Sequence, residues 1–277
     1  MTYQTKSLKQ FKATYRPEPT STPRVISNSG GRTSGLMTLL EMAKGLGPED
    51  YVIFCNTGKE REETLQFLHL QQTVLGVPII WLEYCQYNRW KQVTYETASR
   101  KGEPFSALIQ RRKFLPHQQA RFCTQELKIR VMRDFMRSQG HGHWINVVGI
   151  RADEPTRHAS GKQSTDTRFD VVHPLYEAGI KKPDVLAYWR TQPFDLQLQD
   201  HEGNCDLCFL KGKGKLVNLI RTNPESADWW IDSELTMNAQ FSKRQSYSDL
   251  RDKAISQMSI DFYPVEDEES INCHCTD

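Results

Sequence analysis

The sequence has no apolar run near the roughly 18–20 residues that a membrane-spanning helix needs, so no membrane partner is expected. It also lacks an excess of either charge. Its 36 Lys and Arg stand against 34 Asp and Glu, a formal net charge of +2. That excludes a uniformly basic polyanion binder and leaves room only for a local basic face. The first 23 residues, MTYQTKSLKQFKATYRPEPTSTP, hold no apolar signal core. We expect a polar N-terminal arm over 1–23 and a cytoplasmic protein. Neither GxxxxGK[ST] nor GxGxxG occurs, and no internal repeat is evident. Cysteine is not scarce, but it is odd in number: seven, at Cys55, Cys85, Cys123, Cys205, Cys208, Cys273 and Cys275. Two close pairs, GNCDLC and NCHC, suit a disulfide framework poorly, and reduced thiols go with an intracellular site.

Strand and helix signals alternate along the first two thirds of the chain. The segment PRVIS predicts a strand near Arg24–Ser27, and GLMTLLEMAKG a helix stopped at Gly45. YVIFCNTG, VPIIWLE and HWINVVGI read as further strands. Between them REETLQFLHLQQTVLG is helical, with Leu65, Leu68 and Val74 near one face. QELKIRVMRDFMRS is an amphipathic helix carrying Leu127, Val131 and Phe135 at helical spacing. Residues 84–119 read as loops and short helices, and the chain from Pro183 onward as mainly helical. This pattern predicts an α/β fold: a doubly wound, mainly parallel, Rossmann-like sheet over 24–190, with a helical, cysteine-bearing region over 191–277 that completes the site. Such sheets bind ligands at the carboxyl ends of their strands. The segments SNSGG, CNTG and GIRADE all follow strands, and so are expected to meet.

The first of these, SNSGGRTS at 27–34, lies between a strand and a helix. Backbone N–H groups at such a junction, with the positive end of the helix, suit a phosphate. Gly30 and Gly31 permit close approach, Ser29, Thr33 and Ser34 add hydroxyls, and Arg32 offers a charge-assisted contact. The pieces that follow make a resemblance specific. SGGRTS at 29–34, CNTGKEREET at 55–64, RFCTQELK at 121–128, GIRADEPTR at 149–157, HPLYEAGIKKPDVLAYW at 173–189 and GNCDLC at 203–208 run in one order. They resemble the phosphoadenosine phosphosulfate (PAPS) reductase-like branch of the adenine nucleotide alpha-hydrolase superfamily, whose fold is a doubly wound parallel sheet. The resemblance implies that Ser27, Ser29, Gly30, Gly31 and Ser34 hold phosphate or sulfate. It sets Thr57 and Gly58 beside the nucleotide, Arg151, Glu154 and Arg157 at the far wall, and Arg121 and Lys128 on anionic groups. The ligand it implies is PAPS, APS or ATP, with Mg²⁺ if ATP is used. ATP-splitting members carry Asp where this chain has Thr33, and the reductases end in an ECGxH-like segment where this chain has INCHCTD.

Cys205 and Cys208 have the spacing of paired metal ligands. With Cys123, and with Cys273 or Cys275 as the fourth, they would form a Cys₄ site. Family context favours [4Fe–4S], with zinc as the alternative. The tail cysteines Cys273 and Cys275, beside His274, are the candidate catalytic group: a thiolate attacks the sulfonate sulfur, and a second thiol, such as that of a donor protein, releases sulfite. The resemblance thus implies a sulfonucleotide reductase. ATP-dependent sulfur transfer to a nucleic acid or small acceptor is one alternative, and a non-catalytic nucleotide-sensing module is another. A homodimer is compatible with each. Arg111, Arg112 and Lys113 read equally as a phosphate contact or a solvated surface, and KGKGK at 211–215 as a basic loop leading to a helix, with a salt-sensitive nucleic-acid backbone contact as the alternative. Trp229 and Trp230 read as core packing or a subunit contact in preference to base stacking, and His158 and His173 as candidate acid–base groups.

Overall fold

The computed structural model describes residues 21–161, 166–198 and 203–256, together with Leu8, Phe11 and Tyr15. Its centre is a six-stranded sheet in the order β4-β3-β2-β1-β5-β6. The strands are β1 (Arg24–Ser27), β2 (Tyr51–Asn56), β3 (Ile79–Cys85), β4 (Arg89–Val93), β5 (Trp144–Val148) and β6 (Phe169–Val172). All neighbouring pairs are parallel except β3 and β4. The chain winds outward from β1 to β3, then crosses to β5 on the other side of β1. That reversal opens a crevice beyond the carboxyl ends of β1 and β5.

Both faces of the sheet are covered, which explains why its strands read as continuous apolar runs. Ile26, Val52 and Phe54 pack into one core, whereas Val25, Ile53 and Cys55 pack into another. The first core is roofed by α1 (Arg32–Lys44), α2 (Glu62–Thr73) and α8 (Lys182–Trp189), the last two contributing Leu65, Phe67, Leu68, Tyr188 and Trp189. The second is roofed by α3 (Glu103–Arg112), by a helical run and by the C-terminal helices. That run begins as one α-turn, α4 (Phe122–Thr124), widens into a π-helix at Gln125–Ile129 and resumes as α5 (Arg130–Ser138). Then follow α6 (Pro155–Gly161) and α7 (Pro174–Glu177), and, after α8, α9 (Lys213–Thr222), α10 (Asp228–Met237) and α11 (Tyr247–Ser256).

The doubly wound sheet agrees with the sequence reading, and β1 matches its predicted bounds. Leu127, Val131 and Phe135 are buried as their spacing predicts. Gly45 ends α1 at φ +102°, a conformation open to glycine and strained for other residues. Two expectations need correction. Val74 is 52% exposed instead of sharing the face of Leu65 and Leu68. It caps α2, where the chain leaves the helix toward Gly76 at φ +69°, and Leu75 turns inward in its place. Residues 84–119 contain a strand as well as helix. β4 was hidden because its exposed outer residues, Arg89, Lys91 and Gln92, break the apolar run of an interior strand. Trp230 is buried and Trp229 packs partly buried against the same core, as expected. Among the described residues no helix is long and apolar enough to cross a membrane.

Candidate nucleotide site

A cavity of about 410 Å³ lies at the crevice, a size that suits a small ligand such as a nucleoside. Its floor comes from the strand ends: Ser27, then Ile53 to Cys55, and Asn146 and Val148 to Ile150. One wall is the π-helical run, which contributes Gln125, Lys128, Ile129 and Met132. A π-turn inserts one extra residue, which re-aims the side chains on that face. The opposite wall holds Arg157, Ser160, Gly161 and His173.

The glycine loop closes one end. Gly30 adopts φ +83°, and a Cβ there would stand 2.5 Å from Thr64 Cγ2 on α2. The loop therefore presses flat on α2, which only glycine allows. Asn28 organises the turn: its Oδ1 accepts the Gly30 N–H at 3.1 Å, and its Nδ2 donates to Gln71 Oε1 at 2.9 Å. The Ser29 N–H donates to Ser34 Oγ at 3.1 Å, and the two hydroxyl oxygens are 3.0 Å apart. No side chain caps the start of α1 at Gly31, so the first-turn N–H groups offer the helix's positive end to an anion. Gly149 lets the end of β5 approach closely, since a Cβ there would meet Ser34 Cα at 3.1 Å.

The predicted residues divide into two sets. Ser27, Ser29, Ser34, Lys128 and Arg157 line the cavity. The others stand around it. Arg32 forks onto Asp195 at 2.7 and 3.0 Å and also donates to the Leu196 carbonyl. It thereby anchors the loop from behind, as does Trp189, whose Nε1 donates to the Arg32 carbonyl at 2.7 Å. Thr33 Oγ1 accepts from Arg151 Nη1 at 3.0 Å. Arg151 also meets Asp153 at 3.0 Å, and Arg157 pairs with Glu154. Burial works against the Asp153 charge, but Arg151 beside it holds the carboxyl below its usual range. Thr57 donates through both its N–H and its hydroxyl to Glu60 Oε2 at 2.8 Å, and Glu60 Oε1 lies 3.5 Å from Lys128 Nζ. Gly58 takes φ +78° against Gly102. Arg121 is the N-cap of α4. His173 is fully buried, with its Nδ1 3.0 Å from His158 Nδ1, and His158 stacks on Tyr176.

The C-terminal region reaches the loop directly. Asn204 Nδ2 donates to the Ser29 carbonyl at 3.0 Å, and Glu60 forms a β-bridge with Cys205. The turn holding Cys205 and Cys208 folds around Lys211, whose ammonium donates to the Cys205 and Asp206 carbonyls. Burial lowers the Lys211 pKa, with the nearby Cys208 and Cys205 sulfurs pulling it back up. Lys211 therefore faces inward. Cys123 packs partly buried against the second core. Among the described residues no three His, Cys, Asp or Glu side chains gather as metal ligands. Cys123, Cys205 and Cys208 accordingly do not gather as three ligands among those residues. Cys273, His274 and Cys275 lie outside the described residues.

Sequence reasoning passed over Asn28, Gln125, Ile129, Met132 and Asn146, which line the cavity. Two signals were present. Asn28 is a short amide preceding a glycine turn. Gln125, Ile129 and Met132 follow the spacing of one helix face.

Comparisons with known proteins agree with this geometry. The model of the phosphoadenosine phosphosulfate reductase domain family matches residues 23–196. The chain is similar to an uncharacterized nin region protein of Escherichia phage lambda: 31% identical over 204 residues, covering 69% of this chain and 67% of the phage protein. It is also similar to an uncharacterized protein of Methanocaldococcus jannaschii, 27% identical over 161 residues, 58% of this chain but only 29% of that relative.

Proposed function

The chain belongs to the phosphoadenosine phosphosulfate reductase domain family, and from that premise we propose that it binds an adenine sulfonucleotide and releases sulfite from it. The observation that carries the reading is the cavity at the strand reversal, closed at one end by the uncapped start of α1. A nucleoside would occupy the cavity between the strand ends and the π-helical wall. Its phosphates would lie on the N–H groups and the Ser29 and Ser34 hydroxyls of the loop. Lys128 and Arg157 would face the remaining anionic oxygens.

In this reading a tail thiolate, Cys275 or Cys273, attacks the sulfonate sulfur. The new S–S bond forms as the S–O bond to the phosphate breaks, and the nucleotide leaves as a phosphate. A second thiolate then attacks the cysteine sulfur of the enzyme S-sulfonate. A disulfide forms and sulfite departs with the electron pair of the broken S–S bond. Because Cys123, Cys205 and Cys208 do not gather as metal ligands among the described residues, no step is routed through a cluster. Lys128 and Arg157 would stabilise charge on the leaving phosphate.

The test uses PAPS and APS with a dithiol reductant. Sulfite release by the full chain is expected. Cys273→Ser and Cys275→Ser together should abolish it and leave nucleotide affinity, measured by calorimetry, within about twofold, because neither thiol belongs to the cradle. Unimpaired sulfite release by that double variant would sink the tail mechanism. Iron and acid-labile sulfide analysis of anaerobically purified protein tests the metal independently, and about four of each per chain would return the cluster to the scheme.

One observation favours a second reading, ATP-dependent sulfur transfer to a nucleic acid or small acceptor. Each cation nearest the loop already has an acidic partner: Arg151 with Asp153, Arg157 with Glu154, Lys128 with Glu60. A triphosphate enters such a charge-balanced site more readily with Mg²⁺, which needs only one or two carboxylates besides the phosphates. Pyrophosphate release from MgATP that depends on an acceptor is its signature. Tight nucleotide binding with neither product would leave a sensing module.

A further inference from the structure

The near-neutral total charge conceals a concentrated basic face. Between Pro104 and Ser138 there are eight Lys and Arg and only two acids, Glu126 and Asp134. Glu126 is buried beneath Arg112 and Arg130. Three elements bring the cations to one place, the β3–β4 turn. Arg111, at the end of α3, donates to Tyr84 Oη at 3.1 Å. Tyr84 pairs across the hairpin with Trp90, whose ring packs 5.2 Å from Phe135 on α5. Arg89 lies 4.0 Å from Asp134 on the same helix and borders a surface depression with Arg133, Arg137 and Ser138.

The turn between these cations presents Tyr87, which is 90% exposed. Phe114, which follows the basic run, is 39% exposed. The backbone adds a second observation. Three non-glycine residues among those described have positive φ, and two belong here: Arg89 at +68° and Lys113 at +54°. Glycine or asparagine would be relaxed at such positions. Lys113 takes this conformation as the C-cap of α3 and Arg89 as the first residue of β4, so the chain turns at both places and leaves both cations exposed. Lys113 and Arg137 have no acidic partner among the described residues.

We propose that this face binds single-stranded nucleic acid, with a base stacked on Tyr87 and the phosphate backbone lying across Arg89, Arg111, Lys113 and Arg137. The chemistry selects that occupant over an acidic protein. Guanidinium groups fork onto phosphate oxygens, and an aromatic ring standing clear of the surface between them supplies the stacking platform of sequence-tolerant single-strand binders. An acidic peptide would use the cations and leave Tyr87 idle. Arg133 and Arg137, which border the depression, lie on α5 with Met132, which lines the cavity, so a strand held there passes near the nucleotide site. None of Tyr87, Arg89, Arg111, Lys113 and Arg137 lines that cavity, and the proposal therefore stands whichever ligand the cavity takes.

The experiment is fluorescence anisotropy of the full chain with a labelled DNA single strand of about 20 nucleotides, the same sequence as RNA, and the DNA duplex, over a salt series. Binding to single strands is expected to weaken with salt, with about 0.7 in log–log slope per phosphate contacted. Tyr87→Ala should weaken it about tenfold at unchanged slope. Lys113→Glu with Arg137→Glu should weaken it further and flatten the slope by about 1.4, since two contacts of about 0.7 each are lost. Urea unfolding of each variant, compared with the parent, shows that the fold is intact. DNA and RNA results differ only in which strand the face prefers, and binding of either supports the proposal. It is overturned if no single strand binds at low salt. It is equally overturned if Tyr87→Ala binds like the parent, if duplex binds more tightly than single strand, or if polyglutamate displaces the oligonucleotide as well as unlabelled strand does.

Discussion

Gly30 shows how one residue can control a site. Its φ of +83° and the 2.5 Å approach of a would-be Cβ to Thr64 exclude a side chain on two separate grounds. Gly45 has only the first, since its φ is +102° with open space around it. Gly45→Ala is expected to cost about 1 kcal/mol. Gly30→Ala should cost about 2–4 kcal/mol, because α2 must also give way, and should weaken nucleotide binding, which Gly45→Ala leaves alone. Urea unfolding and calorimetry read the two effects. Equal losses at both positions would mean that the contact with Thr64 is immaterial. The positive-φ need was legible in the SGG spacing. The identity of the neighbour was not, because Thr64 is 34 residues away and meets the loop only when α2 docks. Arg32 teaches the converse. Its sequence position suggests an anion contact, yet Asp195, far along the chain, takes its guanidinium.

Among the elements, the cysteine turn is folded around an amine. Lys211 donates to the Cys205 and Asp206 carbonyls from within the turn, and Lys59 pairs with Asp206 at 2.7 Å. Lys211→Met is expected to leave those carbonyls without their donor and to cost about 1–3 kcal/mol. The opened turn should then expose Cys205 and Cys208, so that modification by a maleimide, mapped by peptide mass, accelerates at these two cysteines and not at Cys55. Unchanged reactivity would show that the turn is held by other contacts. The spacing C-x-x-C suggested ligands from sequence. It carried no information about the lysine three residues beyond, since a buried amine is recognisable only from the carbonyls that converge on it.

At the scale of the whole molecule, the cavity draws on β1, β2, β5, β6, the π-helical run and α6. A ligand that bridges so many elements should stabilise the fold as a unit. At a hundredfold excess over its Kd a nucleotide contributes about 2.7 kcal/mol, which for a chain of this size raises Tm by several degrees. Thermal unfolding with PAPS, APS, ATP and adenosine 3′,5′-bisphosphate measures this, and dialysis should reverse it. A flat response to all four would count against the cavity as a nucleotide site. By itself the sequence determined the alternation of strand and helix, the doubly covered sheet and the glycine loop. Those rest on local periodicity and on backbone demands that only particular residues meet. The tertiary structure decided which side chains share the cavity, which arginines are claimed by carboxylates, and where the edge strand β4 brings its cations beside α3 and α5. Such choices depend on pairings between residues distant along the chain, and no local pattern encodes a partner that folding alone brings near.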